Sequence, residues 1–170
     1  MQIVCAYIDG LLREETEAVL ASQPDVRFHP LPAHDPFAYG RLLADYWRGA
    51  ADDLLIVEQD ILPTAADISL MAVCPNLYCG APYEWTTDVG VALGFTRFRR
   101  EFMLQYPTAM EQTIARGLGW KQLDVTFQRA ILVRQYGEQP HVHPQVRHLN
   151  AEKKLMEGAD PNPLQTLPAW

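Results

Sequence analysis

The sequence Leu54-Leu55-Ile56-Val57-Glu58-Gln59-Asp60 decides the fold and marks the first candidate site. Its four consecutive apolar residues do not alternate with polar ones, which predicts a strand covered on both faces, as in the middle of a parallel sheet. Because side chains alternate along a strand, Glu58 and Asp60 point the same way at its carboxyl end. Open α/β sheets bind ligands at that edge. The alternative is that this acidic pair is solvated loop or helix-cap material.

Strand and helix alternate along the residues that precede this stretch. The hydrophobic pattern predicts strands over residues 2–8 and 26–31 and helices over residues 11–23 and 36–48, the second helix being capped by Asp35. Parallel strands need such crossover connections. The pattern therefore predicts an α/β fold with a three-layer α/β/α arrangement around a mainly parallel, mixed central sheet.

The remainder of the chain is less regular. Prolines and glycines divide it into a helix over 64–73, a glycine-bearing strand over 89–95, a helix over 98–106, a long helix over 121–136 and a strand-like segment over 140–149. Arg97, Arg99 and Arg100 surround the start of one helix, where they neutralise a diphosphate, contact a polyanionic acceptor or form a solvated face. We expect a single domain over residues 1–150 and a proline-rich C-terminal tail over 151–170.

Composition narrows the class of protein. The 170 residues are 48% hydrophobic, which suits one globular core. Lys and Arg number 14 against 21 Asp and Glu, so the net charge of -7 gives no overall basic field for nucleic acid, although a local patch is left open. Three cysteines match no zinc spacing and predict buried thiols without a disulfide. With neither a membrane-length apolar run nor a basic leader, we expect a cytoplasmic protein without membrane contact.

In this order, the features resemble the metal-dependent nucleotide-sugar glycosyltransferases of the Rossmann-like GT-A fold. Glu58-Gln59-Asp60 is similar to the Asp-x-Asp motif of that family, with Glu in the first place. Residues 120–130 are similar to a stretch that often carries a Glu-Asp pair in inverting members, with Leu123 in the glutamate position and Asp124 retained. The resemblance covers about residues 1–150.

The resemblance implies a donor site and a divalent metal. It implies that a sugar moves from a nucleotide sugar, a UDP-sugar being favoured, to an acceptor hydroxyl with the help of Mn²⁺ or Mg²⁺. Asp60 would bind the metal directly, and Glu58 would bind it or contact the ribose or a metal-bound water. His148 lies where many members place a third metal ligand, and Gly40-Arg41 is similar to helix residues that contact the donor diphosphate. An exposed or hydrogen-bonded structural histidine is the alternative for His148.

Acidic and aromatic residues supply candidates for catalysis and acceptor binding. Asp124 is the predicted general base, because removing a proton from a hydroxyl needs a carboxylate within hydrogen-bond reach. An aspartate in the first turn of a helix also caps it and interacts with its dipole, so capping is the alternative. Glu84 is the second catalytic candidate, and Asp88 lies on the same predicted loop. Tyr83 and Trp85 are predicted to stack on an acceptor sugar, with core packing as the alternative.

Strand ends supply further candidates for binding the donor. Tyr7 and Asp9 lie at the end of the first predicted strand, and Asp35 follows the second. By the strand-end rule these three residues are predicted to contact the donor base and ribose. Arg41 joins them through the resemblance, as a contact for the diphosphate.

Three other interpretations compete with glycosyl transfer. A strand-end acidic pair also serves metal-dependent nucleotidyl or phosphoryl transfer, although no GxxxxGK[ST] loop accompanies it here. The departures at Glu58 and Leu123 leave open a non-catalytic nucleotide-binding protein of the same fold. His141 and His143 alternate onto one strand face and form a candidate zinc pair, which ranks lower because it lacks a nearby cysteine or a helical histidine partner. The acceptor stays undecided among a modified nucleic-acid base, as in a phage or bacterial enzyme, a protein and a small metabolite.

Overall fold

The computed structural model describes residues 1–83, 91–117 and 119–149. Eight strands and seven helices lie in these ranges, the last helix being a wider, π-type one. Their bounds are β1 Gln2–Ile8, α1 Glu14–Ala21, β2 Val26–Leu31, α2 Ala38–Arg48, β3 Leu54–Glu58, β4 Ile61–Leu62, α3 Ala65–Val73, β5 Tyr78–Gly80, β6 Phe95–Phe98, α4 Arg100–Gln105, α5 Ala109–Ile114, α6 Trp120–Val125, α7 Thr126–Tyr136, β7 His141–Val142 and β8 Arg147–His148.

Six of the strands form one central sheet in the order β2-β1-β3-β6-β5-β7. The pairs β1·β2, β1·β3 and β5·β7 are parallel, whereas β6 runs antiparallel to both of its neighbours. β4 and β8 form a separate antiparallel pair. The predicted mixed, mainly parallel α/β sheet with flanking helices is therefore confirmed.

Strand β3 is buried on both faces, as its unbroken apolar run predicted. Leu54 and Ile56 belong to one core cluster and Leu55 and Val57 to another, and none of the four is more than 2% exposed. Helices α2 and α4 to α7 contribute to the first cluster, while α1 and α3 contribute to the second. Helices thus cover both faces of the sheet. The carboxyl end of β3 lies where this strand leaves the covered part of the sheet.

The segment after β5 differs from its prediction. The predicted strand over 89–95 is wrong, because the described part of that segment is irregular and the strand is Phe95–Phe98. The next helix consequently begins at Arg100 rather than at residue 98. All four residues of β6 are buried opposite Leu54–Val57, although Thr96 and Arg97 interrupt its apolar pattern. Tertiary contacts to these polar side chains decide the strand, and a periodicity argument does not include them.

Arg97 makes those contacts from inside the protein, with 1% of its surface exposed. Its guanidinium group donates hydrogen bonds at 2.7–3.2 Å to carbonyl oxygens at and beyond the end of α3, those of Met71, Ala72, Cys74 and Asn76. A buried cation at a helix C-terminus supplies donors to carbonyl groups with few or no partners in the helix; of these, the Met71 carbonyl oxygen also accepts from the N–H of Cys74. The prediction that Arg97 contacts a diphosphate or lies on a solvated face is therefore wrong.

The predicted long helix over 121–136 is two elements, α6 and the π-type α7. Its predicted buried stripe is confirmed, since Leu123, Phe127, Ile131 and Leu132 are all at most 2% exposed. A π-type segment is uncommon and is found preferentially near functional sites. The change in helix type occurs between Val125 and Thr126, two residues after Asp124, the predicted base.

Three further expectations concern membrane-spanning helices, the cysteines and the C-terminal tail. Within them, no helix combines the length and the apolar character needed to cross a lipid bilayer. Cys5, Cys74 and Cys79 are buried and free. The predicted tail over 151–170 lies outside the described residues.

Candidate functional site

Asp60 and His148 lie side by side at the end of the sheet. Asp60 directly precedes β4, which pairs with β8 so that Ile61 is opposite His148. The backbone N–H of Leu149 donates to the carbonyl oxygen of Asp60 at 2.8 Å. The side chains meet as well, with His148 Nε2 3.6 Å from Asp60 Oδ2, and both residues are buried. Residues far apart in sequence thus form one pair of candidate metal ligands.

Glu58 ends β3 against a glycine. Its backbone N–H donates to the carbonyl oxygen of Gly94 at 2.9 Å. A Cβ at position 94 would lie 3.0 Å from Glu58 Oε2 and 2.9 Å from the hydroxyl oxygen of Tyr83. Any residue with a side chain at position 94 would force the Glu58 and Tyr83 side chains to move, so glycine permits this close approach.

Two buried tyrosines border the acidic pair. The ring of Tyr83 lies 5.0 Å from that of His148, centroid to centroid, and Tyr83 is 5% exposed. Burial, followed by the negative charges of Glu58 and Asp124, raises the pKa of both Tyr83 and Tyr39 well above the ordinary value. Both phenols therefore stay protonated beside the carboxylates. The predicted contact of Tyr83 with an acceptor sugar stays a prediction, and it would need this ring to become accessible.

Asp124 is held by the backbone next to Gly94. Its Oδ1 accepts a hydrogen bond from the N–H of Leu93 at 2.5 Å. Burial raises the pKa of the Asp124 carboxyl to about 6, while hydrogen bonds from Leu93 and the Gln128 side chain oppose that rise. Gly119 is the N-cap of α6 and Asp124 lies beyond its first turn, so the capping interpretation is wrong. A carboxyl that titrates near neutral pH suits general base chemistry.

The consecutive residues Leu93 and Gly94 connect the candidate base, Asp124, with the acidic motif at Glu58. The backbone N–H of Leu93 donates to the carboxylate of Asp124, and the carbonyl oxygen of Gly94 accepts from the N–H of Glu58, whose Oε2 would lie 3.0 Å from a Cβ at Gly94. The charges of Glu58 and Asp124 both act on Tyr39 and Tyr83. The structure thus places the candidate base next to the acidic motif, which the sequence predicted only by resemblance.

The middle residue of the motif fastens it to the neighbouring strand. Gln59 is buried, and its Oε1 accepts from the N–H of Ile8 at 2.7 Å. Its carbonyl oxygen accepts from the N–H of Arg13 at 3.1 Å. Sequence reasoning missed Gln59, because a polar residue between two acidic ones gives no sign of being inside. It also missed Tyr39, since an aromatic residue on a helical stripe is ordinary core.

The predicted donor residues follow the ends of β1 and β2. Tyr7 is half-buried near the end of β1, and Asp9 follows it exposed. Asp35 accepts from the N–H of Phe37 at 3.0 Å and forms an ion pair with Arg41. The hydrogen bond from Arg41, and then that from Phe37, lowers the pKa of the Asp35 carboxyl. Phe37 is the N-cap of α2, so the predicted capping role of Asp35 is wrong. The Asp35 carboxylate instead forms an ion pair with Arg41.

The predicted three-residue metal site is not assembled as a compact group. Within the described ranges, one set of three ligand-type side chains has all its ligand atoms within 4.8 Å of one another, and it comprises Cys74, His141 and His143. The statement that the two histidines have no cysteine nearby is therefore wrong in three dimensions. Asp60 and His148 still lie together as two candidate ligands, 3.6 Å apart. Two protein ligands would suit a hard cation that takes further oxygen ligands from substrate phosphates. Glu84, Trp85 and Asp88 lie outside the described residues.

Gly40 sets the distance between α2 and the helix that carries Asp124. A Cβ at Gly40 would lie 2.8 Å from Leu123 Cδ1 and 3.2 Å from Ile114 Cγ1. We expect Gly40→Ala to lower the free energy of unfolding by about 1–2 kcal/mol, because overpacking outweighs the better helix propensity of Ala. Urea unfolding measures this change. In a double-mutant cycle, the stability losses of Gly40→Ala and Leu123→Ala should add up to more than the loss of the double variant, because removing the Leu123 side chain makes room for the new methyl group. Strict additivity would contradict the packing explanation.

Comparison with known proteins supports the fold alone. No family model matches the chain, and neither does any curated protein. Among solved structures, the chain is similar to one described as the crystal structure of A197 from STIV, with a TM-score of 0.55 and 13% sequence identity. The match covers 86% of this chain and 83% of that one. At this identity the similarity identifies a shared α/β architecture.

Proposed function

We propose that the chain is a compact GT-A-like glycosyltransferase that moves a sugar from a nucleotide-sugar donor to an acceptor hydroxyl. The observation that carries the proposal is the junction of Glu58 and Asp124 at Leu93-Gly94, at the carboxyl end of the central strand. Such a strand end is where α/β sheets bind nucleotides. A UDP-sugar is the favoured donor, and the acceptor is not identified.

The two candidate metal ligands, Asp60 and His148, suit Mn²⁺ or Mg²⁺. A carboxylate and an imidazole are compatible with Mn²⁺, and one or two protein ligands are usual where substrate phosphates supply the others. Their ligand atoms are 3.6 Å apart, close to the roughly 3 Å between neighbouring ligands of an octahedral ion of this size. Bound there, the metal would neutralise the charge that develops on the departing diphosphate. Asp60 and His148 would hold it, and Glu58 would act beside them.

Asp124 supplies the proton acceptor in this proposal. Its carboxylate takes the proton from the acceptor hydroxyl as the hydroxyl oxygen forms a bond to the anomeric carbon of the donor sugar. The bond between that carbon and the phosphate oxygen breaks, and its electron pair leaves with the nucleotide diphosphate. Leu93 keeps the carboxylate oriented through its N–H. The pKa of about 6 leaves Asp124 ionised at neutral pH yet basic enough to accept a proton.

The raised pKa of the Asp124 carboxyl favours a catalytic role over a purely binding one. A nucleotide-binding protein has no need for a partly buried carboxyl whose pKa is raised and whose negative charge adds to that of Glu58 and Asp60. Strongly shifted titrating groups in a cleft are characteristic of catalytic sites. Nucleotidyl or phosphoryl transfer remains the second candidate on the strength of the acidic strand end alone.

The proposal is tested by ligand-induced stabilisation. We expect UDP at about 100 times its dissociation constant to raise the free energy of unfolding by about 2.7 kcal/mol, and only when Mn²⁺ or Mg²⁺ is present. Without the metal, the diphosphate and the acidic strand end repel each other. Thermal shift assays with several nucleotide diphosphates, each with and without metal, measure the effect. The absence of a shift with every nucleotide and metal would refute the donor site.

Asp60→Asn is the matching variant. It keeps the shape of the side chain but removes the charge that binds the metal, so the metal-dependent shift should disappear while the unliganded protein stays folded. Asp45→Asn is the control, because Asp45 lies on the exposed surface of α2. Equal nucleotide and metal binding by Asp60→Asn and the parent would mean that the motif is only structural.

A further inference from the structure

Three side chains from separate parts of the chain meet at the edge of the central sheet, away from the proposed donor site. Cys74 follows the last residue of α3. His141 begins β7, the edge strand, and lies opposite Cys79 of β5. His143 follows β7, and its backbone N–H donates to the carbonyl oxygen of Gly80 at 2.8 Å. The short strand β7 therefore brings two imidazole rings to one buried thiol.

The distances in this group suit a metal ion. Cys74 Sγ lies 3.4 Å from His141 Nδ1, and the ligand atoms of all three residues are within 4.8 Å of one another. A tetrahedral zinc ion places its sulfur and nitrogen ligands about 3.6 Å apart. The rings of His141 and His143 are nearly perpendicular, with centroids 4.8 Å apart, so they do not stack on each other. Small side-chain adjustments would bring all three ligand atoms to one centre.

His143 has a ring nitrogen that lacks a partner. Its Nε2 is buried, and no hydrogen-bond partner for it occurs among the described residues. Leaving a buried polar atom unpaired costs about 1–3 kcal/mol, so such an atom needs an explanation. A metal bound within the group would satisfy this site, since histidine binds metals through a neutral ring nitrogen.

The protonation states agree with this interpretation. Burial lowers the pKa of His143, with smaller contributions from the charges of His141 and Arg97. Burial alone would raise the pKa of the Cys74 thiol, but hydrogen bonds from Asn76 and the nearby Arg97 charge leave it below its usual value. Both shifts favour the forms that bind metals, neutral imidazole and thiolate.

We infer that Cys74, His141 and His143 bind a zinc ion that fastens the edge strand β7 to the end of α3. Thiolate and imidazole ligands select zinc over the hard cations Mg²⁺ and Mn²⁺. β7 lies three strand spacings from β3, roughly 14 Å, so this site is separate from the candidate donor site. Three protein ligands leave a fourth position for water. The ion would close a chain segment of 67 residues and stabilise a strand of only two.

Cobalt provides a direct test, because Co²⁺ replaces Zn²⁺ in such sites and a cobalt–thiolate bond absorbs in the near ultraviolet. The full chain, stripped with a chelator and kept reduced, should develop this absorption with about one equivalent of Co²⁺. Zn²⁺ should displace Co²⁺ and remove the absorption, since a tetrahedral site costs Co²⁺ ligand-field stabilisation that the d¹⁰ ion Zn²⁺ does not have to lose. Cys74→Ser should abolish the band, and Cys5→Ala should keep it.

Histidine variants keep the test decisive if Cys74→Ser does not fold. His141 is exposed, so His141→Gln should fold and weaken Zn²⁺ binding by at least about 10-fold, with His34→Gln, another exposed histidine, as the unaffected control. Asp60→Asn should retain the cobalt–thiolate band, which separates this site from the donor site. A parent protein without the band, a band that survives Cys74→Ser, or an unchanged Zn²⁺ affinity in His141→Gln would overturn the inference. Cys74 and His141 would then share only a hydrogen bond.

Discussion

Asp124→Asn should slow sugar transfer by about 10²–10⁴-fold, the usual contribution of a positioned proton acceptor. The amide keeps an oxygen that accepts from the N–H of Leu93, so the local backbone should be preserved. Donor and metal affinity should stay near those of the parent, because Asp60 and His148 supply the metal ligands in our proposal. Steady-state transfer to an acceptor measures the rate, and donor hydrolysis to free sugar and nucleotide diphosphate serves until an acceptor is known.

The pH dependence of the parent gives a second test of Asp124. The carboxylate accepts a proton only when ionised, and its pKa is raised to about 6. The rate should therefore rise about tenfold per pH unit below that value and level off above it. The Asn variant should lack this inflection. A parent profile that is flat from pH 5 to 7 would exclude Asp124 as the base in that reaction.

The raised pKa also predicts how stability changes with pH. Since the folded-state pKa of Asp124 lies above the ordinary value of 3.8, the folded protein holds this proton more tightly than the unfolded chain between about pH 4 and 6. The contribution of Asp124 to stability should fall as pH rises through that window. Asp124→Asn removes the cost, so at pH 7 the variant should be at least as stable as the parent. Urea unfolding at pH 4 and 7 compares the two.

Other outcomes for Asp124→Asn would direct the search elsewhere. A near-parental rate would contradict its role as base and leave Glu84 and Asp88 as candidates. If neither of these carboxylates affected the rate, a retaining mechanism without a protein base would follow. Asp45→Asn, on the exposed face of α2, is the matched control and should change neither rate nor pH profile.

Arg97→Met should lower the free energy of unfolding by about 3–5 kcal/mol, because several buried carbonyl oxygens lose a donor and each unsatisfied group costs about 1–3 kcal/mol. The Met side chain fills a similar volume but leaves the carbonyl oxygens of Met71, Cys74 and Asn76 without their charged donor. Unsatisfied buried carbonyls account for most of the loss. Urea unfolding followed by circular dichroism measures it.

Arg99→Met is the control for Arg97→Met. Arg99 lies two residues along the chain, its side chain is 36% exposed, and it lies 3.8 Å from the Asp53 carboxylate. A partly exposed ion pair contributes little, so the control should lose less than about 1 kcal/mol. Similar losses for the two variants would contradict the role assigned to the buried guanidinium.

The first half of the fold was predictable because its information is local. The run Leu54–Val57 predicted a strand buried on both faces, and the alternation of strand and helix before it predicted parallel neighbours. β1 and β2 have the predicted bounds, whereas α1 begins three residues later than expected. Periodicity and turn residues act over a few positions, which is the range that a single sequence reveals.

The tertiary structure alone decided the reversed strand β6 and the composition of both candidate sites. Arg97 interrupts the apolar pattern of its strand, and only the carbonyl groups that surround it make its burial favourable. The sequence supplied Asp60, Asp124 and His148 as chemical types. Leu93 and Gly94, which contact Asp124 and Glu58, come from a distant segment, and so does Cys74, which lies beside His141 at the second site. These contacts, including that of Cys74 with His141, depend on how the helices and strands pack. The burial that raises the pKa of Asp124 likewise exists only in the folded chain.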